Sequence, residues 1–322
     1  MRPILPTHRL SLVKLNVKSM STEVNIRDLE QVLANAQLPA LPTSAMKLLE
    51  LSQDSRNGPA EYARPIEADV GLMGQILRFV NSSYFGFSRE IASIQQAISL
   101  VGVRTIKNFA LWSAVFSLVP NPKFGSFDLK NLWQDSLRRA VFARILGRSI
   151  KVLNAEDLFA AALLQDMAIP LLLKALPQQY EKLIERRIEE KARLSNLEKE
   201  VFGWDHAQAA ATLCRSWRLP EEFAILIERH PDVDELLSGA NARMDAACVA
   251  IASLLPSCRD NSWEEKDDFI AALDKITGVV SIDLDEMMKA VDESFAEFAP
   301  IMKLSVPDRS LTDWINLEEV PV

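Results

Sequence analysis

The 322 residues include only 10 glycines, 3 cysteines and 3 histidines, and aromatic residues make up 7%. Scarce glycine beside abundant Leu, Ala, Glu and Lys favours helices over strands. The cysteines, Cys214, Cys248 and Cys258, are odd in number and lack CxxC spacing. That argues against a disulfide framework and fits free thiols in a reduced compartment. No apolar run approaches the ~20 residues of a membrane span. Residues 1–24 carry Arg2, His8, Arg9, Lys14 and Lys18 along their length, so they lack the compact apolar core of a signal peptide. They are expected to form a flexible tail, with the start left open between Met1 and Met20, and the chain is placed in the cytoplasm. Gly-rich phosphate loops, HExxH and GxSxG are absent too.

Positive charge is in deficit, 36 Lys+Arg against 44 Asp+Glu, for a net charge of −8. Such a field repels phosphate backbones, so nucleic-acid binding is disfavoured unless one face is locally basic.

What is present is helix punctuation. Asn25 with Asp28 resembles a capping pair, Asp69 caps the stretch ending in NSSYFG, and Ser93–Gln96 and Ser195–Glu198 read as capping boxes. Asp205 caps HAQAAATLCRSW, and Pro65 is expected to kink or shorten a short helix. Leu72, Met73, Ile76, Leu77 and Val80 recur at helical spacing, and no strand-length alternation competes. The fold class is therefore all-α, a two-lobed helical bundle. The lobes span about 25–119 and 128–235, on either side of a turn-rich loop. A helical extension, 236–304, completes or packs on the second lobe, and 305–322 reads as a flexible acidic tail.

Four ordered segments carry a resemblance: LPALPTSAMKLLEL, LMGQILRFVNSSYFGF, IASIQQAISLVGVRTIKNFAL and VFGWDHAQAAATLCRSWRLPEEF. Together, over roughly residues 30–235, they resemble the HDOD family, the HD-related output domain. The resemblance implies a signal-transduction role, a second lobe like that of HD-type metal phosphohydrolases, and shared ancestry with those enzymes. Their metal site needs two His, an adjacent Asp and a distant Asp, because imidazole and carboxylate hold the ion that activates water. Placed on that pattern, the first His falls at Gln134 or Asp135. The His-Asp pair reads Gln165–Asp166, and the distant Asp falls at or near Ser253. His206 and His230 stand where some HD relatives have extra His. Only Asp166 survives of the four, and with His8, His206 and His230 the only imidazoles, no compensating ligand is expected. The resemblance thus implies a degenerate site, with no metal, no cofactor and no catalytic residue.

Asp166 lies in an apolar helix, so its carboxylate requires a partner, with Arg138, Arg139, Arg144 or His206 as candidates. His206 reads as a buried packing residue with one hydrogen bond. His230 reads as a cation-favouring helix C-terminus. Arg144, Arg148 and Lys151, at i, i+4 and i+7, form a stripe that could contact an anion or be a solvated face paired with acids. Phe79, Tyr84, Phe85 and Phe87 form the densest aromatic cluster, read as a core corner of the first lobe. The leading functional expectation is a non-catalytic regulatory module with protein partners supplied in trans, open to a small nucleotide-like ligand. The alternatives are a residual phosphohydrolase acting on a nucleotide or cyclic dinucleotide, and a nucleic-acid-binding regulator using the Arg144 stripe.

Overall fold

The computed structural model describes residues 28–317, apart from 37–39, 53, 55, 124, 126, 239–241 and 278–281. The expectations for residues 1–24 and for Asn25 lie outside the described residues. Among the described residues every regular element is helical, as the composition demands.

The first six helices are α1 (Leu29–Asn35), α2 (Thr43–Leu51), α3 (Pro59–Glu67), α4 (Val70–Val80), α5 (Ile94–Val101) and α6 (Val103–Leu118). Asp28, Asp69 and Ser93 each accept a bond from the backbone N–H three residues on, satisfying donors that a helix start leaves free. Pro65 lies inside α3, which ends two residues later at Glu67, so it shortens that helix as expected. Gly102 joins α5 to α6 at φ +89°, a conformation that a side chain would strain.

Twelve further helices follow. The long α7 (Leu129–Ser149) is buried along most of its length from Trp133 to Gly147. It packs against α8 (Ala155–Leu164), whose residues 158–164 are all buried. Gly147 permits that approach, since an added Cβ would lie 2.4 Å from Leu158 Cδ1. Next come α9 (Ile169–Ala175), α10 (Pro177–Glu190), α11 (Leu194–Phe202), α12 (His206–Ser216), α13 (Glu221–Glu228) and α14 (Val233–Leu237). The chain then forms α15 (Met244–Ala252), α16 (Lys266–Thr277), α17 (Leu284–Phe298) and α18 (Leu311–Asn316). Helix α15 packs on α7 and α8, and α17 on α7. By length and composition residues 155–175 pass as a membrane span, yet 83% of their 18-residue apolar window is buried inside the fold. It is a core element.

Two sequence expectations change here. Ser195 and Glu198 do not cap a helix, because α11 already begins at Leu194 and both side chains are buried within it. The tail from 305 is not loose as far as Leu317: α18 docks on α17 with Leu311 and Trp314 buried. Asp292 holds its start by accepting from the N–H groups of Leu311 and Thr312 and from the Thr312 hydroxyl.

Candidate functional site

Three titratable side chains converge beside α7. Asp166 follows α8, His206 opens α12 and His230 follows α13, and all three are buried. The Asp205 cap, reciprocated by Gln208, fixes the first turn of α12 and so the place of His206. His206 Nε2 lies 3.3 Å from Asp166 Oδ1 and 3.2 Å from His230 Nε2, and the latter is 3.7 Å from Asp166 Oδ1. His206 reaches Asp166, as the sequence offered, and His230 does too, so two imidazoles stand beside it where no compensating ligand was expected.

Each imidazole is pinned from behind. Glu198 Oε2 accepts from His206 Nδ1 at 2.6 Å and from the His206 backbone N–H at 2.8 Å. The Tyr180 hydroxyl donates to the other carboxylate oxygen at 2.6 Å. His230 Nδ1 donates to the Ile227 carbonyl at 2.7 Å. His206 is therefore no packing residue with one bond, and His230, placed just after the C-terminus of α13 where a cation would be favoured, is buried instead. Burial disfavours charge on both, but the carboxylates of Glu198 and Asp166 outweigh it at His206, which is raised to about 10. Burial dominates at His230 and keeps it neutral. One assignment agrees with both shifts and with the contacts. A doubly protonated His206 donates to Glu198 and toward Asp166, and His230 presents a lone pair at Nε2.

On its other oxygen Asp166 is paired with the Arg139 guanidinium. Burial resists ionisation of Asp166, but Arg139, His206 and His230 hold its carboxyl far below the usual carboxylate range. Of the four partners that the sequence offered for Asp166, Arg139 and His206 are the ones it uses. Arg138 instead donates to the Arg309 carbonyl.

The remaining candidate positions scatter. Gln134 donates to the Ser305 carbonyl and lies 3.1 Å from its hydroxyl. Asp135 accepts from the Ser257 hydroxyl and the Cys258 N–H. Gln165 is fully buried, and neither atom of its amide has a hydrogen-bond partner among the described residues. Ser253 lies close behind His230, donating to the carbonyls of His230 and Ala250 while accepting from Arg193.

The Arg144 stripe does not exist as a surface feature. Arg144 is 1% exposed, with its guanidinium 4.3 Å from the Tyr84 ring centroid, 4.8 Å from Phe159 and 5.2 Å from Phe298. Arg148 is half exposed and donates to Tyr84 and Glu156. Lys151 lies beyond the end of α7 with φ +62°. Arg144 faces the core side of α7 and Lys151 lies outside the helix, so the three do not share one solvated face.

Glu198 and Arg193 are the site residues that sequence reasoning missed. Glu198 was hidden by a plausible capping box. Its signal lay in the spacing to His206, eight residues that cross a helix end and let the chain fold back.

The sequence profile of the HDOD domain matches residues 38–233. The chain belongs to the HDOD family. An uncharacterized protein of Treponema pallidum (strain Nichols) is 28% identical over 200 residues, which is 60% of this chain and 37% of that protein. YuxH of Bacillus subtilis (strain 168) is 38% identical over 103 residues, 31% of this chain and 24% of that protein. The chain thus spans well under half the length of either relative.

Solved structures share the fold. An HDOD domain protein of unknown function from Geobacter sulfurreducens has a TM-score of 0.62 at 21% identity, covering 87% of this chain and 100% of that one. A Shewanella amazonensis SB2B protein provisionally assigned as a phosphohydrolase has a TM-score of 0.64 at 21% identity, covering 85% and 97%. A Marinobacter aquaeolei VT8 protein provisionally assigned to signal transduction has a TM-score of 0.61 at 19% identity, covering 83% and 60%.

The resemblance to HD-type phosphohydrolases implies a metal, and the donors here can be tested against one. Ligands about 2.0–2.2 Å from a transition ion lie about 3.0–3.6 Å from one another. The three atoms of Asp166, His206 and His230 all lie within 4.8 Å of each other, close to that spacing. Glu198 and Ile227 supply the outer-shell acceptors that orient ligating imidazoles. Those three residues therefore fit one ion, which when bound would supply a Lewis acid. Against it stands Arg139, already neutralising the single carboxylate among them.

Proposed function

We propose that this HDOD chain is a non-catalytic regulatory module that works through protein partners supplied in trans, in a reduced cytoplasmic compartment. In this reading Gln134 or Asp135, Gln165 and Ser253 stand where a hydrolase would need ligands. The observation that carries it is the Arg139–Asp166 ion pair. A guanidinium and an imidazolium supply the positive charge that a hydrolytic centre takes from its metal. Asp135, engaged with Ser257 and Cys258, is not aimed at the cluster. Metal analysis of the purified protein, with turnover assays on phosphodiesters and nucleotides, tests the reading. The expected outcome is sub-stoichiometric metal and no hydrolysis above that of an Asp166→Ala variant. Hydrolysis lost in that variant would overturn it.

A second reading, a metal-dependent phosphohydrolase, is favoured by the spacing of Asp166, His206 and His230. It requires an ion to displace the His206 proton and to bind beside the Arg139 charge. Nucleic-acid binding loses the basic stripe on which it depended, since Arg144 is in the core.

A further inference from the structure

Next to the cluster lies a second set of charges that the regulatory reading leaves unused. Arg139 comes from α7, Arg187 from α10, and Arg193 from the turn before α11. Asp135 on α7 also acts on Arg139 and Asp268 on α16 acts on Arg193, but the acids paired directly with Arg187 and Arg193 come from one irregular segment, residues 253–265, between α15 and α16. Asp260 faces Arg187 at 3.3 Å and Glu265 faces Arg193 at 3.1 Å. Glu264 meets Lys191 at 2.9 Å on the outer side. Glu265 lies within electrostatic reach of all three guanidiniums, and Arg139 within reach of both Asp260 and Glu265. Arg139, paired directly with Asp166, thus joins Arg187 and Arg193 around Asp260 and Glu265.

The match is incomplete. Charge-assisted N–H···O bonds run at about 2.7–2.9 Å, whereas the Arg187–Asp260 contacts are 3.3–3.4 Å. Arg139 Nε is buried without an acceptor, a costly state for a charged donor. Glu265 is partly buried, which raises its pKa. Each guanidinium offers five N–H donors in a rigid fork that suits bidentate oxygens. A diphosphate has more oxygens and more charge than two carboxylates, and would serve these donors better. Moving residues 257–262 outward breaks the bonds from Ser257 and Cys258 to Asp135, which the ligand has to offset. No helix has to unwind, and Trp263, bonded to the Leu254 carbonyl and packed on Phe269, can stay as its anchor.

We propose that Arg139, Arg187 and Arg193 form a binding site for a small molecule bearing a diphosphate, held closed here by Asp260 and Glu265. Their carboxylates stand where phosphoryl oxygens would sit, so ligand binding requires the segment to swing outward and exposes a new surface to a partner. The site rests on the regulatory reading and names its ligand class.

The test is calorimetric titration of the metal-free full chain with pyrophosphate, methylenediphosphonate and ADP. Hydrogen exchange is followed over residues 257–265. The double variant Asp260→Asn/Glu265→Gln is expected to bind diphosphate at least about tenfold more tightly than the parent. Adding Arg187→Gln, a partly exposed position, removes about tenfold again. Exchange in 257–265 rises when methylenediphosphonate binds. Binding of ADP but not pyrophosphate assigns the site to nucleotides, and equal binding assigns it to the diphosphate alone. Absence of saturable binding in both parent and double variant overturns the proposal, as does binding indifferent to Arg187→Gln. Hydrolysis of pyrophosphate would instead overturn the non-catalytic reading and leave the binding site standing.

Discussion

At the scale of single residues, the centre is a set of buried charges that balance: Asp166 and Glu198 against Arg139 and His206. Asp166→Asn keeps the shape and removes one charge, leaving Arg139 without its directly paired carboxylate and His206 with Glu198 alone. Breaking such a pair costs about 3–5 kcal/mol, to be read as a lower urea midpoint with unchanged slope. The two histidines also set a pH profile in chelator-treated protein. His206 is raised from 6.5 to about 10. Its contribution is complete below pH 6.5 and is lost as pH rises toward 10, at up to about 1.4 kcal/mol per pH unit. His230 is lowered from 6.5, so its contribution is complete above 6.5 and is lost as pH falls. Stability should therefore peak near pH 6.5. His206→Gln should flatten the alkaline limb, and His230→Gln the acid limb; a profile unchanged by either variant would refute the protonation states given above. The sequence made the need for a partner at Asp166 legible, because a carboxylate in the run LLQDMA has to be paired. It could not show that His206 and His230, 24 residues apart, would meet there, since that depends on how α12 and α13 pack.

At the scale of elements, helix existence was legible because apolar spacing and caps are local, and the Asp69, Ser93 and Asp205 caps stand as read. What failed were readings that needed a helix's environment. Ser195–Glu198 has the letters of a capping box, but its glutamate is consumed by tertiary contacts. Arg144 looks like a surface residue by spacing and is caged by Tyr84, Phe159 and Phe298. Arg144→Ala should cost about 2–4 kcal/mol through lost cation–π contact and a cavity. Arg144→Met, which fills the volume, should cost less; thermal unfolding of the pair distinguishes packing from charge. Gly147→Ala should destabilise by about 1–3 kcal/mol by overpacking α7 on α8. Leu158→Ala in the same chain should recover part of that loss, a coupling that a double-mutant cycle measures.

At the scale of the whole molecule, the family match ends at residue 233, but the core does not. Phe298 packs on Phe79, Tyr84 and Phe159. Phe142 of α7 lies 5.4 Å from Phe269 of α16. A chain cut after residue 235 would expose the buried face of α7 and should fail to show a single cooperative unfolding transition by calorimetry, whereas the full chain should show one. The cage around Arg144 makes this more than a matter of stability. Its walls come from the turn after α4, from α8, and from the last residue of α17, some 200 positions apart in sequence. A displacement of α17 would thus bear directly on a positive charge deep in the centre and, through Tyr84, on Arg148. The protein carries a mechanical linkage between its far end and its middle, with an arginine as the pin.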